Sequence, residues 1–416
     1  MQVMKWSALA IAVTAGTTQL AFASAQSDAK GFIEDSDLQL FNRILAHQRD
    51  FKNDNIRTQE EVGLGTRVLF ESGFTQGAVG FGVDAHTLTS TKLDTGRGRT
   101  DLGQFDLDSE GRAEDTQTEA GAAVKARLSN TTLKYGNQFV GSPVFSTDDS
   151  RILPEATTGT YLVSNEIEGL ELSAGRFTAG SSQVSTDRDT AGLKSANIYG
   201  ASYQFTDNLS AAAHYSDVED VWDKKYFNVN YTLPIADNQS LNFDVNYYKS
   251  EDQGAALEGP LDNKLFSVAA AYTLDAHTLT YAYQSSTGDT AYNYGIDGGG
   301  TIWVANSVQI SDFLGQDEKS HQLRYDLDME SYGAPGLSFM TRYITADDIT
   351  TATGEDGKEH EWNFESKYII QNGAAKDLSF RLRHSVYRAN SAYNTEYDVP
   401  DLNDTRLIIE YPLDII

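Results

Sequence analysis

The stretch Leu378-Ser379-Phe380-Arg381-Leu382-Arg383-His384-Ser385-Val386 alternates in polarity. An extended chain therefore sends Leu378, Phe380, Leu382 and Val386 to one side and Ser379, Arg381, Arg383 and Ser385 to the other. In a soluble sandwich the apolar side would be core and the polar side would meet bulk water. In a membrane barrel the same residues invert their roles, with the apolar side in lipid and the arginines lining a wet interior. The alternation admits no helix, and the rest of the chain decides which of these two sheets is built.

Other runs share the period. Leu323, Tyr325, Leu327 and Met329 oppose Gln322, Arg324, Asp326 and Asp328; Trp362, Phe364, Tyr368 and Ile370 oppose Glu361, Asn363, Glu365 and Lys367. Leu337, Phe339 and Tyr343 oppose Ser338, Met340 and Arg342, and at the C-terminus Leu407, Ile409, Tyr411, Leu413 and Ile415 oppose Arg406, Ile408 and Glu410. Eight tight turns separate such runs: Glu71-Ser72-Gly73, Ser129-Asn130-Thr131, Glu168-Gly169, Thr206-Asp207-Asn208, Ile235 to Gln239, Asp275-Ala276-His277, Gly333 to Gly336 and Asn372 to Asp377. Between successive turns there is room for two strands and a longer polar connection. Eight short turns on one side and nine longer loops on the other predict eighteen antiparallel strands. An even count with this asymmetry is what an outer-membrane barrel needs, because closure leaves no unpaired edge in lipid. No Pro-rich or Ser-rich linker divides the chain into separate sandwiches. The expected fold is all-β: a single 18-stranded antiparallel transmembrane β-barrel with short periplasmic turns and long outer loops.

The N-terminus agrees with export. Lys5 precedes an apolar run from Trp6 to Val13, and Ala21-Phe22-Ala23 forms an A-x-A cleavage pattern. Residues 1–23 read as a removed signal and 24–416 as the barrel. The mean hydropathy of −0.43 leaves no room for membrane helices, yet barrel strands need only one apolar face. With no cysteine an exported chain has no disulfide framework and must rely on its hydrogen-bonded ladders. The net charge, 32 − 60 = −28, excludes nucleic acid as a natural partner. Asp and Glu crowd irregular segments such as Asp101 to Glu119 and Asp347 to Glu361. There they could hold divalent cations against anionic lipid, or simply solvate the surface. Partners implied by a barrel of this kind are outer-membrane lipid, lipopolysaccharide and the barrel-assembly machinery.

Alternation places a basic side chain on the inner face of five successive strands: Arg324, Arg342, Lys367, Arg381 with Arg383, and Arg406. In the first strand Leu38, Leu40 and Ile44 point outward and Arg43 inward, and closure makes that strand the neighbour of the last. The result is a basic stripe on one wall of an acidic protein. Guanidinium groups along a water path offer a carboxylate a series of bidentate stopping points. The competing reading is structural, with the same side chains paired to Glu365, Asp326 and Glu410. A barrel this wide needs something folded into it. The third long connection, Gly136 to Thr160, is the candidate constriction loop, with Phe145 as apolar anchor and Asp148 or Asp149 facing the basic stripe. The Gly-rich segment Tyr292 to Thr301 reads as a loop at the lumen edge, since no helix comes after it to cradle phosphate. The seven histidines show no metal-ligand spacing and no G-x-S-x-G occurs. No catalytic residue, metal or cofactor is expected, and a barrel hydrolase is the weakest alternative.

Several stretches carry a family resemblance: Ala29 to Ser36 (AKGFIEDS), Glu71 to Val83 (ESGFTQGAVGFGV), Ala270 to Thr278 (AAYTLDAHT), Val304 to Gln309 (VANSVQ), Glu355 to Lys358 (EDGK), Lys376 to Phe380 (KDLSF) and Tyr411-Pro412-Leu413. They resemble the OprD family of substrate-specific porins of pseudomonads, end to end. The resemblance implies a monomeric or loosely trimeric barrel with an inward-folded third loop. It also implies an arginine and lysine ladder that takes up small carboxylate-bearing nutrients such as amino acids, peptides or organic acids. Arg43, Arg127, Arg342, Lys367, Arg381, Arg383 and Arg406 stand at positions like that ladder, and Arg151 matches a basic residue of the loop. Members accepting basic amino acids have an acid just before the serine of the Gly-rich loop. Here the run is Gly299-Gly300-Thr301-Ile302-Trp303 and the nearest acid is Asp297, so arginine-like solutes are not expected. The chain also ends in Ile416, whereas many porins end in Phe. A general, non-selective diffusion pore is the principal alternative.

Overall fold

The computed structural model describes residues 24–52 and 55–416; the leader expected at 1–23 lies outside the described residues. Eighteen strands form one sheet, each hydrogen-bonded to its neighbours in sequence, and the first, Asp37–Phe51, pairs with the last, Leu402–Asp414. The sheet is thereby closed and antiparallel throughout. All eight expected turns join adjacent strands at one end, several of them as tight as 129–130, 168–169 and 275–276. The opposite end has the long connections, above all 95–115, 139–155 and 289–318. One connection there departs from expectation: 219–221 is as short as a turn. Another, 390–401, contains a short helix, Ser391–Tyr397, capped by the Asn390 side chain, which accepts from the Tyr393 N–H.

The period of two sorts side chains as the apolar-out reading requires. In the strand Ser379–Ala389, Phe380 and Leu382 are 39% and 41% exposed whereas Ser385 is fully buried. Leu323, Tyr343, Trp362 and Leu407 point outward in the same way, while Gln322, Arg342, Asn363 and Arg406 are buried inside. Burial is thus inverted relative to a soluble sheet, and such an exterior is matched only by hydrocarbon. Leu382→Arg is expected to destabilise the barrel by roughly 2–4 kcal/mol if Leu382 sits at the bilayer midplane. A drop in the denaturant midpoint of refolding into liposomes would measure it.

Two long connections turn back into the barrel. The connection 139–155 contains a small hairpin, Gly141–Ser142 against Phe145–Ser146. Phe145 stacks on Phe177 at 4.6 Å, and Val144 and Phe145 join a buried cluster with Trp222, Tyr248 and Leu265 from the barrel wall. The far end of the connection docks on the first strands: Ile152 and Leu153 pack with Leu45 and Leu88. The wall is bare where they arrive, because a Cβ on Gly65 would fall 2.1 Å from the Ile152 carbonyl oxygen. The irregular stretch is 139–155, shorter than the expected 136–160, since flanking strands extend to Gln138 and from Ala156.

Candidate functional site

The expected basic residues at the C-terminal end of the chain fall on one wall. Arg324 lies opposite Arg342, Lys367 opposite Arg381, and Arg383 opposite both Glu365 and Arg406 on its two neighbouring strands. Carboxylates are interleaved with them. Arg324 is held by Asp326 through two bonds of 2.7 Å, Arg406 by Asp404 at 2.7 Å, and Arg43 by Glu410 at 2.8 Å. Glu365 lies 2.6 Å from Arg381 and 3.5 Å from Arg383, so two guanidinium groups share one carboxylate. Arg342 donates to the Asn363 side-chain oxygen at 2.6 Å. The pairing with Glu365, Asp326 and Glu410 that a structural role requires is therefore present. Yet the Arg381 and Arg383 side chains keep 23% and 19% of their surface open on the inner face, and guanidinium groups in that state retain N–H donors for a passing anion.

Arg127 lies apart from this wall. It is inward-facing at the short-turn end of Thr116–Leu128, where its guanidinium covers the Phe74 ring at 4.1 Å and its Nε donates to Gln26. The inward carboxylates of the loop also differ from expectation. Asp149 does not face the basic wall across an opening; it is bonded into it, at 2.9 Å from Arg43 and 2.5 Å from Arg67. The cause is Arg67, a buried inward residue of Gln59–Glu71 that completes a two-arginine clamp on the loop backbone at Asp149, Arg151 and Ile152. Sequence reasoning missed Arg67, although alternation with Val68 and Phe70 points it inward. Arg151 donates to the Leu102 carbonyl, and burial together with nearby Arg406 lowers its pKa to about 10. Asp148 bonds Ser150 and Gln183.

The Gly-rich segment is more than a lumen-edge loop: it packs backbone to backbone on the connection 139–155. Ser146 donates to the Asp297 carbonyl at 3.0 Å, and Gly300 donates to the Ser146 carbonyl at 3.1 Å. Gly298 has φ +94°, and a Cβ there would lie 2.0 Å from the Ser146 oxygen, so only glycine lets the two loops meet. Asp297 itself is fully buried, 2.7 Å from buried Lys224 and accepting from Trp222 Nε1 at 3.1 Å. Lys224 carries no signal in sequence, because its partner comes from a loop distant along the chain.

Glu155 joins the two loops. Its Oε2 accepts from the N–H groups of Asp148 and Gly299 at 2.8 and 2.9 Å. Burial, reinforced by Asp148 and Asp297, pushes its pKa up to about 7 despite these donors. A carboxyl whose pKa is raised in the folded state stabilises that state below its unfolded value of about 4.5 and loses the advantage as pH rises through about 7. The junction between the loops is thus expected to loosen between pH 4.5 and pH 7. Single-channel current noise should increase across that window in the parent and stay flat in Glu155→Gln.

Residues 30–415 match the model of the outer membrane porin, OprD family. Along its whole length the chain is 45% identical to Porin D of Pseudomonas aeruginosa, covering all of both proteins. The crystal structure of Acinetobacter baumannii OccAB1 superposes with a TM-score of 0.90 at 33% identity, over 95% of this chain and all of that one. That of P. aeruginosa OpdK with vanillate superposes at 0.83 and 32% identity, over 92% of this chain and all of that one. These relatives are channels, not enzymes. The closed lipid-facing barrel and these matches together make the chain a member of the OprD family, an integral porin of the bacterial outer membrane.

Proposed function

We propose that the protein gives small carboxylate-bearing solutes a selective, passive route across the outer membrane. The observation that carries this reading is the Arg381–Glu365–Arg383 group, in which two lumen-facing guanidinium groups have one carboxylate between them. The surplus charge attracts a solute carboxylate, and Lys367, Arg342, Arg406 and Arg43 extend the path, each contact weak enough to release. The connection 139–155, with the Gly-rich loop behind it, narrows the opening and reads the remainder of the solute. Arg127 meets the solute last, at the periplasmic mouth. Asp297 is neutralised by Lys224 and buried, so it offers nothing to a cationic side chain. That favours organic and aromatic acids and neutral amino acids over arginine or lysine, in keeping with the vanillate named for the OpdK structure. Export with removal of residues 1–23, insertion by the barrel-assembly machinery and a monomeric or loosely trimeric state complete the proposal.

Liposome swelling with benzoate-type acids, neutral amino acids, arginine and a neutral sugar of similar size tests it. The expected order is acids first, arginine and sugar last. Equal rates for all would identify a general diffusion pore instead.

A further inference from the structure

The periplasmic mouth holds charges that the ladder does not account for. On the first two strands, Asp37 and Glu71 are directly opposed at the short-turn end, and alternation with Leu38 and Phe70 turns both inward. Like charges so placed are destabilising unless a cation comes between them. Neither carboxylate has an ion pair or a side-chain hydrogen bond among the described residues. Asp84, opposite Glu71 on the third strand, is in a different condition: it lies 2.6 Å from Lys125 and 2.5 Å from Lys134. Those two lysines are thereby engaged, and the Asp37–Glu71 pair is left to whatever enters from the lumen. Arg127 has the complementary need. Its Nε donates to Gln26 at 3.1 Å and its guanidinium lies on the Phe74 ring, while Asp35 and Asp28 act on it only at longer range, without an ion pair among the described residues. Its remaining N–H groups can therefore take a carboxylate.

Both needs border one cavity of about 330 Å³, walled by the segment 25–37, the turn 71–74 and the inner face of Thr116–Leu128. The cavity is built by close backbone contacts. Gln26 is 3% exposed and donates to the Thr75 and Gly77 carbonyls, and the Gly73 N–H donates to the Phe32 carbonyl at 2.9 Å. Gly73 and Gly80 are bare where the segment crosses them, since a Cβ would fall 2.1 Å from the Gly31 oxygen and 2.3 Å from Gln26 Oε1. No group of three or more carboxylate or imidazole side chains converges to hold a metal among the described residues. Two carboxylates alone suit an ammonium, which brings three N–H donors, better than a cation that needs six or more oxygens. We infer that this cavity is an exit station for dipolar solutes: a small neutral α-amino acid places its carboxylate on Arg127 and its ammonium between Asp37 and Glu71. The station rests on the selective-uptake reading and narrows its solute class. It uses residues outside the Arg381–Glu365–Arg383 group, so the two can fail separately.

Planar-bilayer recording of the full barrel, with L-valine, 3-methylbutanoate or 2-methylpropylamine added on the short-turn side, tests the station. The three solutes are similar in size and carry both charges, the anion alone and the cation alone. Valine is expected to half-block the salt current at a concentration roughly five-fold or more below that of either other solute, since each of those lacks one charge-assisted contact. Asp37→Asn/Glu71→Gln should raise valine's half-blocking concentration by about the same factor and leave that of 3-methylbutanoate unchanged or lower, a split that loss of packing at the mouth would not produce. Asp37→Asn alone should raise valine's by roughly two-fold and guards against a double variant that fails to close, which heat-modifiable electrophoretic mobility would report. Arg127→Gln should weaken valine and 3-methylbutanoate and spare the amine. Equal block by valine and 3-methylbutanoate in the parent, or an undiminished valine preference in Asp37→Asn/Glu71→Gln, would overturn the proposal. Displacement of valine by submillimolar calcium chloride would give the carboxylates to a metal and overturn it too. The valine preference should survive in Arg381→Ala/Arg383→Ala, and its loss there would assign it to the ladder instead. Equal liposome-swelling rates for all solutes with the valine preference intact would end the selective-uptake reading and leave the station standing.

Discussion

Arg381→Ala/Arg383→Ala is expected to lower the uptake of carboxylate solutes by roughly ten-fold or more, since two charge-assisted contacts are removed and each 1.4 kcal/mol is a factor of ten. The same change strands Glu365, which both arginines hold. With two positive charges gone and one carboxylate left, the local field loses its positive surplus. Conductance for a simple salt should persist within about two-fold, because on the proposed reading the inward loops, not these side chains, narrow the pore. The reversal potential under a salt gradient should move toward cation preference. Liposome swelling with an aromatic acid and planar-bilayer recording measure the two effects separately, and undiminished acid uptake would end the ladder reading. Glu365→Gln makes the complementary case: with both guanidinium groups released, an aromatic acid should block the salt current at lower concentration.

Lys224→Met should have the largest effect on the constriction. Lys224 and Asp297 are both fully buried, and the ammonium also lies over the Trp222 and Tyr292 rings at 4.4 and 4.7 Å. Removing one member of such a pair leaves a buried charge and costs about 3–5 kcal/mol. The loop 289–318 can avoid that cost by leaving its seat and taking Asp297 to water, and it would release the hairpin at Ser146 as it goes. A wider, noisier channel and faster cleavage within 289–318 by added protease are the expected signs. Lys224→Met/Asp297→Asn removes both charges and should recover most of the parental current, which separates an electrostatic lock from simple loss of packing.

The strands were legible because lipid and water impose the period of two on every residue that crosses the bilayer. Leu382 against Arg383, or Trp362 against Asn363, reports its face without knowledge of any partner. The turns were legible for a related reason: a reversal of two residues such as Asn208 after Asp207 needs local chemistry alone. The inward placement of the basic residues came from the same rule, and Arg67 would have come with it had the rule been applied to the second strand. The inward loops obey no period. Asp149 reaches Arg43 and Arg67, and Asp297 reaches Lys224, across separations that only a closed barrel brings together. Gly298 reads as flexible in sequence, and its need for a bare backbone emerges only when Ser146 is set against it. The brevity of 219–221 has no signal that alternation could supply.

The seam where the first strand meets the last gives the channel an order of construction. Arg43–Glu410 and His47–Asp404 are bonds between opposite ends of the chain, at 2.8 and 2.7 Å, and Arg43 also tethers Asp149. Neither seam bond can form until the C-terminal strand has been made and brought round to the start, the slowest kind of contact for a chain to find. An incompletely closed intermediate is accordingly a wall with an open seam, and the lumen is sealed from lipid only in that final step.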